Sequence, residues 1–157
     1  MAARKCAPQD KMAPMKVFIQ NEAGSFVKHS HDEKKLILLA DQQVSRAYPF
    51  PYGFILKTTA EDGDNVDCFV LTRENLRTGQ IVECEPIGLM EQIEDGEIDH
   101  NVLAALLGEA VTLDPEIKQT LTEFVSHVFD HIPGKKTQVG EFRSIEGAIR
   151  HIKRYQD

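Results

Sequence analysis

The sequence predicts an α+β domain, in which a small closed β-barrel carries helices on its outside. Three observations lead to this prediction. Short apolar runs typical of strands fill the first two-thirds of the chain, amphipathic helical patterns fill the last third, and no repeat or linker divides the 157 residues. A chain of this length can bury one core without disulfides. We therefore expect a single domain over residues 16–157, preceded by a flexible N-terminal arm over residues 1–15.

The predicted strands follow the apolar runs in chain order. They are "KVFIQ" at 16–20, "KKLILLA" at 34–40, "GFIL" at 53–56, "DCFVLT" at 67–72 and "GQIVECEPIGLMEQI" at 79–93. The third strand begins only at the glycine, because the two prolines of "YPFPYGFILKT" disfavour a central strand before it. The run "VLAALLG" at 102–108 fits a buried strand as well as a helix, and we favour the strand.

Two helices are predicted near the C-terminus. The first spans residues 114–132, because Asp114 is a good N-cap, Pro115 fits the first turn, and one apolar stripe follows at helical spacing. That stripe consists of Ile117, Leu121, Phe124, Val125, Val128 and Phe129. The second helix covers "SIEGAIRHIKRY" at 144–155. Both are expected to pack against the barrel.

Composition narrows the partners and the compartment. The net charge of −7 disfavours nucleic acids and anionic membranes as partners. No apolar stretch reaches the length of a transmembrane helix, and the N-terminal residues lack the apolar region of a secretory signal. Cys6, Cys68 and Cys84 lack the paired spacings of a zinc or redox motif. We therefore expect reduced thiols and a cytoplasmic protein.

The stretch "EDGDNVDCFV" crowds Asp62, Asp64 and Asp67 at the start of a predicted strand. Like charges at this spacing repel unless solvent, a proton or a cation relieves them. The segment does not fit an EF-hand, because Arg73 occupies the position of the bidentate glutamate. Taken alone, the cluster fits a solvated turn and a metal site equally well.

A second acidic stretch, "EQIEDGEID" at 91–99, lies at the end of another predicted strand. Two carboxylate clusters at neighbouring strand ends can converge on hard cations. Ligation by oxygen atoms alone suits Mg²⁺ or Mn²⁺, which retain waters and bind phosphate-bearing substrates. An acidic chain could bind an anionic substrate through such ions.

Four segments carry a resemblance to a known family: "YPFPYGFI", "EDGDNVDCFVL", "GQIVECEPIG" and "EDGEID". They are similar to the soluble inorganic pyrophosphatases of the first family, whose signature is D-x-D-x-x-D, and the similarity is collinear from about Val17 to Ile132. The resemblance implies a five-stranded OB-like closed β-barrel flanked by two α-helices. It also implies hydrolysis of inorganic pyrophosphate to two phosphates with Mg²⁺, or alternatively Mn²⁺, by a homo-oligomer.

The resemblance assigns the acidic residues to metal binding and proton transfer. Asp62, Asp67 and Asp99 match metal ligands, and Asp67 would bridge two ions. Glu94 would help to hold an ion that arrives with the substrate. Asp64 matches the general base.

The resemblance also implies substrate-binding residues. Lys28 and Tyr52 match residues that contact phosphate, and Tyr48 matches an aromatic residue that lines the site. Asp95 would support its neighbour Glu94.

Several positions depart from the family pattern: Gln20 and Ser30 replace glutamates, Asn101 replaces a lysine, and Ile132-Pro133 replaces a Tyr-Lys pair. The first two remove negative charge from one expected wall of the site, and the others remove cations that would hold phosphate. Two alternatives therefore stay open: hydrolysis of another diphosphate or phosphoester, and a non-catalytic relative that binds metal or phosphate. Retention of the Asp64 base favours a catalyst.

Overall fold

The structure, a computed structural model, describes residues 13–157, which contain nine strands and two helices. The strands are β1 Met15–Asn21, β2 Val27–Asp32, β3 Ile37–Gln43, β4 Tyr52–Ile55, β5 Val66–Val70, β6 Ile81–Glu94, β7 Glu97–Ile98, β8 Asn101–Leu106 and β9 Thr137–Arg143. The helices are α1 Pro115–His127 and α2 Ile145–Tyr155. Residues 1–12 of the predicted N-terminal arm lie outside the described range, and Met15 already belongs to β1.

Five strands close a ring in the order β1, β4, β5, β8 and β6, because β6 pairs back with β1. Within this ring β5 and β8 are parallel, whereas the other pairs are antiparallel. The short β7 and the later β9 extend the sheet from β6. The predicted five-stranded closed barrel with two flanking helices is confirmed.

The core lies on both faces of β5 and β8, because successive residues of a strand point to opposite sides. One apolar cluster includes Val66, Cys68 and Val70 with Ile152 of α2. The other includes Phe69, Leu71 and Leu103 with Leu121, Phe124 and Val125 of α1. Each helix therefore covers a different part of the barrel, and α1 forms one wall of the site described below.

Close packing of β4 on β1 depends on Gly53. A Cβ atom at this position would lie 1.8 Å from the Phe18 carbonyl oxygen, far inside contact distance. The two strands pair directly here, with Gly53 opposite Ile19. The absence of a side chain at Gly53 therefore allows β4 to pair closely with β1 and join the barrel.

The sequence missed three strands and misplaced one. The expected strand at 34–40 is β3, which begins three residues later because the preceding residues form the turn of a two-stranded hairpin with β2. Strand β2 was missed because its sequence, "VKHSHD", has one apolar residue and pairs through its backbone. The two-residue β7 and the mostly polar β9 were missed for the same reason.

The helices begin as predicted, but α1 ends early. Asp114 caps α1 by accepting the Ile117 N–H, and Ser144 caps α2 by accepting the Gly147 N–H. The predicted extension of α1 to residue 132 is wrong, because the chain turns after His127 and the carbonyl of Val128 accepts the N–H of Ser45 at 2.9 Å. Neither helix of the described range is long and apolar enough to cross a membrane.

Candidate active site

The residues between β4 and β5 form a tight acidic turn, which we call the acid turn and define as residues 60–65. The Ala60 N–H donates to the Asp64 carbonyl at 2.7 Å, and the Gly63 N–H donates to the Ala60 carbonyl at 3.0 Å. The Asp64 N–H also donates to the side chain of Asp62 at 3.0 Å. Both aspartates are exposed at the edge of the barrel. Their side chains are accessible to solvent, ions and substrate.

Asp67 and Asp99 bring two carboxyl groups together below the acid turn. Asp67 lies on β5 opposite Asn101 of β8, so Asp99 stands two residues before that pairing point. Burial raises the pKa of Asp67 well above its ordinary value, and the neighbouring charge of Asp99 raises it further. Burial also raises the pKa of Asp99. Such a pair is stabilised by a shared proton or by a cation.

A cleft that is open to solvent adjoins this pair and has a volume of about 40 Å³. This space holds about two or three water molecules. Its lining combines polar groups from the barrel and hairpin with apolar groups from α1: Lys28, Tyr48, Tyr52, Phe69, Gln92, Glu94, Asp99, Asn101, Phe124, Val125 and Phe129. The cleft therefore offers anionic, cationic and hydrogen-bonding groups against an aromatic wall.

Three side chains form an ordered hydrogen-bond relay at the inner end of the cleft. Gln92 Nε2 donates to the Asp99 carboxylate at 3.5 Å, and Asn101 Nδ2 donates to Gln92 Oε1 at 2.6 Å. The carboxylate accepts only, so it fixes the orientation of both amides. Asn101, which is 2% exposed, is left with an Oδ1 atom that has no partner among the described residues. This orphaned acceptor suits a donor such as the hydration water of an ion.

The ammonium groups of two lysines lie over the ring of Phe129, which lines the cleft. Lys28 Nζ lies 5.3 Å from the ring centroid and Lys135 Nζ lies 4.7 Å from it. Lys135 also pairs with Glu94 at 3.4 Å. From the sequence, Lys135 and Lys136 are expected mainly in a solvated loop, with contact to phosphate as the alternative; the contact of Lys135 with Glu94 depends on the turn at Gly134, which has a positive φ of 80°. The lysine lies two residues after the proline that replaces the family's lysine, so the cation deficit is smaller than the sequence suggests.

Tyr48 and Tyr52 lie together at the cleft, with ring centroids 5.6 Å apart. Burial raises the pKa of both phenols, and the charge of Asp67 adds to the shift. Both hydroxyl groups therefore stay protonated at neutral pH. A protonated phenol can donate a hydrogen bond to a phosphate oxygen.

Glu33 is a further carboxylate near the acid turn that the sequence did not single out. Its Oε1 atom accepts the Asn65 N–H at 2.9 Å. Burial raises the pKa of Glu33 to about 7, and repulsion from Asp64 and Asp62 contributes. No local sequence pattern marks Glu33, because its contact with Asn65 joins two segments that are 32 residues apart in the chain.

The donor set fits a hydrated divalent cation. Among residues 13–157, no three histidine, cysteine or acidic side chains are close enough to surround one ion. Mg²⁺ needs only one or two carboxylates, because it keeps several of its waters. The adjacent Asp67 and Asp99 carboxyls and the orphaned Asn101 oxygen provide oxygen ligands and an acceptor for such a water.

The candidate residues from the sequence fall into three groups in the structure. Lys28, Tyr48, Tyr52, Glu94 and Asp99 line the cleft. Asp67 lies beside Asp99, while Asp62 and Asp64 lie on the exposed acid turn.

Asp95 does not line the cleft as its neighbour Glu94 does, although both carboxylates pair with Lys135, Asp95 at 3.8 Å and Glu94 at 3.4 Å. It has a positive φ of 50° in the exposed turn between β6 and β7. Its carboxylate accepts the Lys136 N–H at 2.9 Å. This contact gives Asp95 a structural role in the turn.

The substituted positions Gln20 and Ser30 lie on β1 and β2 and do not occur among the described residues that line the cleft. Gln20 is 5% exposed, and its Nε2 atom donates to the carbonyl of His29. It therefore fastens the hairpin to the barrel. The expectation that both positions form a wall of a metal site gains no support from this arrangement.

Gln20→Glu is expected to destabilise the protein by about 2–4 kcal/mol, because a buried carboxylate would face a carbonyl oxygen without a donor. Urea unfolding of the metal-free protein measures the change. Gln43→Glu on the exposed β3 adds the same charge and should change stability by no more than about 0.5 kcal/mol. If Mg²⁺ restores the stability of Gln20→Glu specifically, residue 20 faces the metal site and this interpretation is wrong.

Comparison with known proteins gives a consistent family. The inorganic pyrophosphatase family matches residues 17–157 of the chain. An inorganic pyrophosphatase of Aquifex pyrophilus is 32% identical over 165 residues, which cover 96% of this chain and 93% of the relative. An inorganic pyrophosphatase of Saccharolobus solfataricus is 30% identical and covers 92% of each chain. The structure of an inorganic pyrophosphatase from Neisseria gonorrhoeae superposes with a TM-score of 0.83 at 27% identity, covering 90% of this chain and 88% of that one.

Proposed function

The chain belongs to the inorganic pyrophosphatase family, and on that premise we propose that it hydrolyses inorganic pyrophosphate to two phosphates in the cleft beside the acid turn. The observation that supports this site most directly is the half-buried Asp67–Asp99 pair. Burial raises the pKa of both carboxyl groups, and a bound cation would stabilise their ionised forms at neutral pH. The cleft next to the pair is lined by Lys28 and by the phenols of Tyr48 and Tyr52, which offer a positive charge and hydrogen-bond donors to a diphosphate.

We propose that Asp62, Asp67 and Asp99 would bind Mg²⁺, with the waters that the ion retains spanning the distance to carboxylates that are not close enough to surround it directly. Glu94 would help to hold an ion that arrives with the substrate. Mn²⁺ has the same preference for oxygen ligands. Bound Mg²⁺ supplies positive charge against the diphosphate and makes a coordinated water easier to deprotonate. The Gln92–Asn101 amide relay keeps the Asp99 carboxylate oriented.

Asp64 acts as the general base in this proposal. It accepts a proton from the attacking water, whose oxygen forms a bond to one phosphorus atom while the bond from that atom to the bridging oxygen breaks. Lys28 offsets the negative charge of the substrate, and Lys135 can exchange its contact with Glu94 for a phosphate oxygen. Tyr48 and Tyr52 remain protonated and can donate hydrogen bonds.

We propose a homo-oligomer in the cytoplasm. A row of exposed apolar side chains on β3 supports association between chains: Ile37, Leu38 and Leu39 are 55%, 52% and 67% exposed. Cys68 and Cys84 are buried free thiols, as expected in a reducing compartment.

The proposed function is tested by phosphate release from inorganic pyrophosphate, with nucleoside diphosphates and a phosphomonoester as competing candidates, each with Mg²⁺ and with Mn²⁺. We expect hydrolysis of pyrophosphate to be fastest and to require the divalent ion. Faster hydrolysis of another phosphate compound would move the function to that substrate. No phosphate release from any compound, together with retained binding of Mg²⁺, would favour a non-catalytic relative.

A further inference from the structure

The turn of the β2–β3 hairpin is fastened to the acid turn by Lys34. Its ammonium group donates to the Thr58 carbonyl at 2.8 Å, to Thr59 Oγ1 at 2.8 Å and to Asn65 Oδ1 at 2.7 Å. These contacts use all three donors of the ammonium group. All three acceptors are neutral oxygen atoms. Lys34 is therefore held by three directed hydrogen bonds and not by an ion pair.

The acceptors of Lys34 stand at both ends of the acid turn. Asn65 is 4% exposed and also donates through Nδ2 to the Ile55 carbonyl at 2.8 Å. Thr58 is 1% exposed, and its hydroxyl oxygen accepts the Val66 N–H at 2.9 Å. Lys34 thus joins the start of the acid turn to its end and connects both to the hairpin.

The acid turn has further contacts from outside: Glu33 Oε1 accepts the Asn65 N–H at 2.9 Å, and Glu61 Oε1 accepts the Tyr155 hydroxyl at 2.6 Å. Its backbone hydrogen bonds link Ala60 with Asp64 and Gly63 with Ala60, and these bonds fix the shape of the turn. Repulsion between Asp62 and Asp64 opposes this compact shape when no cation is bound. Contacts from outside the turn are therefore needed to hold its carboxylates in a constant position relative to β5.

We propose that Lys34 is a positioning residue for the metal site: it holds the acid turn in its binding position through the two threonines and the asparagine to which it donates. This inference rests on the proposed function, because it requires Asp62 to be a metal ligand. It adds a residue of the hairpin turn that contacts neither the cleft nor the substrate. The same hairpin carries Lys28 into the cleft, so metal and phosphate groups are bound by connected segments.

The sign of the effect on Mg²⁺ affinity separates positioning from simple electrostatics. Lys34 is a cation close to Asp64 and Glu33. If charge were its only influence, Lys34→Met would strengthen Mg²⁺ binding, because it removes a like charge from the vicinity of the ion. If Lys34 positions the acid turn, the same substitution weakens Mg²⁺ binding.

The experiment measures Mg²⁺ binding to the substrate-free protein by calorimetry, together with hydrogen exchange of the Asp64 and Asn65 amides in the absence of metal. For Lys34→Met we expect about tenfold weaker Mg²⁺ binding, the usual scale for residues that support a ligand. We also expect amide exchange in the acid turn to become several-fold faster. Lys35→Met is the matched control, since its side chain makes no hydrogen bond or ion pair within residues 13–157. It should bind Mg²⁺ as tightly as the wild type or more tightly.

Unchanged or tighter binding by Lys34→Met would overturn the positioning role, and so would equal weakening by Lys35→Met. Normal amide exchange in the acid turn of Lys34→Met would also overturn it. A wild-type protein that binds no Mg²⁺ would overturn the metal site and this inference together. Wild-type binding with an unaffected Lys34→Met variant would overturn the inference alone.

Discussion

Asp67→Asn is expected to weaken binding of the first divalent ion by about 100-fold or more and to reduce pyrophosphate hydrolysis to near background. Substitution of a residue that merely supports a metal ligand already lowers metal affinity by about 10–100-fold, so loss of a ligand should cost at least as much. The reason is the position of Asp67, half-buried beside Asp99, where an amide cannot supply the charge that attracts the ion. Calorimetric titration with Mg²⁺ and phosphate release measure the two effects.

The same substitution should stabilise the metal-free protein. The folded-state pKa of Asp67 is raised above its ordinary value of 3.8, so the folded protein binds more protons than the unfolded chain above that pH. Stability of the metal-free wild type therefore falls as the pH rises from about 4 toward the folded-state pKa. Asp67→Asn removes this loss, so its melting temperature without metal should exceed that of the wild type at neutral pH, while the increase on adding Mg²⁺ should shrink.

Asp95→Asn provides the matched control for Asp67→Asn. It removes the same charge from an exposed turn, its amide oxygen can still accept the Lys136 N–H, and Lys135, which lies 3.8 Å from Asp95, keeps its shorter contact with Glu94 at 3.4 Å. We expect nearly normal Mg²⁺ binding and activity. Wild-type affinity in Asp67→Asn would show that the first ion binds elsewhere.

Asp64→Asn is expected to lower turnover by about 100-fold or more, the scale for loss of a general base, while Mg²⁺ binding stays near that of the wild type. The exposed Asp64 on the acid turn is accessible to a water molecule, whereas Asp67 is half-buried beside Asp99. Burial and the charge of Asp62 raise the pKa of Asp64. Because a base must be ionised, wild-type activity should fall as the pH decreases through this pKa, and the variant should lose that part of the profile.

Steady-state rates across pH and a Mg²⁺ titration distinguish the two aspartates. If Asp64→Asn and Asp67→Asn lose Mg²⁺ affinity equally, the proposed division between base and ligand is incorrect. A variant Asp64→Asn with normal turnover would assign proton transfer to another group, for which Glu33, whose Oε1 atom accepts the Asn65 N–H beside Asp64, is a candidate.

Apolar pattern predicted the barrel strands and the starts of both helices, because burial imposes a period on the sequence. It could not predict β2, whose polar residues are held by backbone pairing with β3. It placed Glu94 and Asp95 together, but of the two only Glu94 lines the cleft, while Asp95 lies in an exposed turn with a positive φ. The contacts of Lys135 with Glu94 and of Lys34 with Asn65 depend on the geometry of turns that bring distant segments together, and no local sequence pattern predicts them.

The parallel pairing of β5 with β8 has a consequence for the folding kinetics. Asp67 and Asp99 approach each other only when this long-range pairing forms, and the strand β6 between them must also close the ring with β1. Such non-local pairings form late, because the entropy of closing the chain must be overcome first. An ion that needs both carboxylates therefore contributes little to the transition state for folding. A divalent ion bound at this pair would therefore slow unfolding much more than it accelerates folding, and would chiefly prolong the lifetime of the native state.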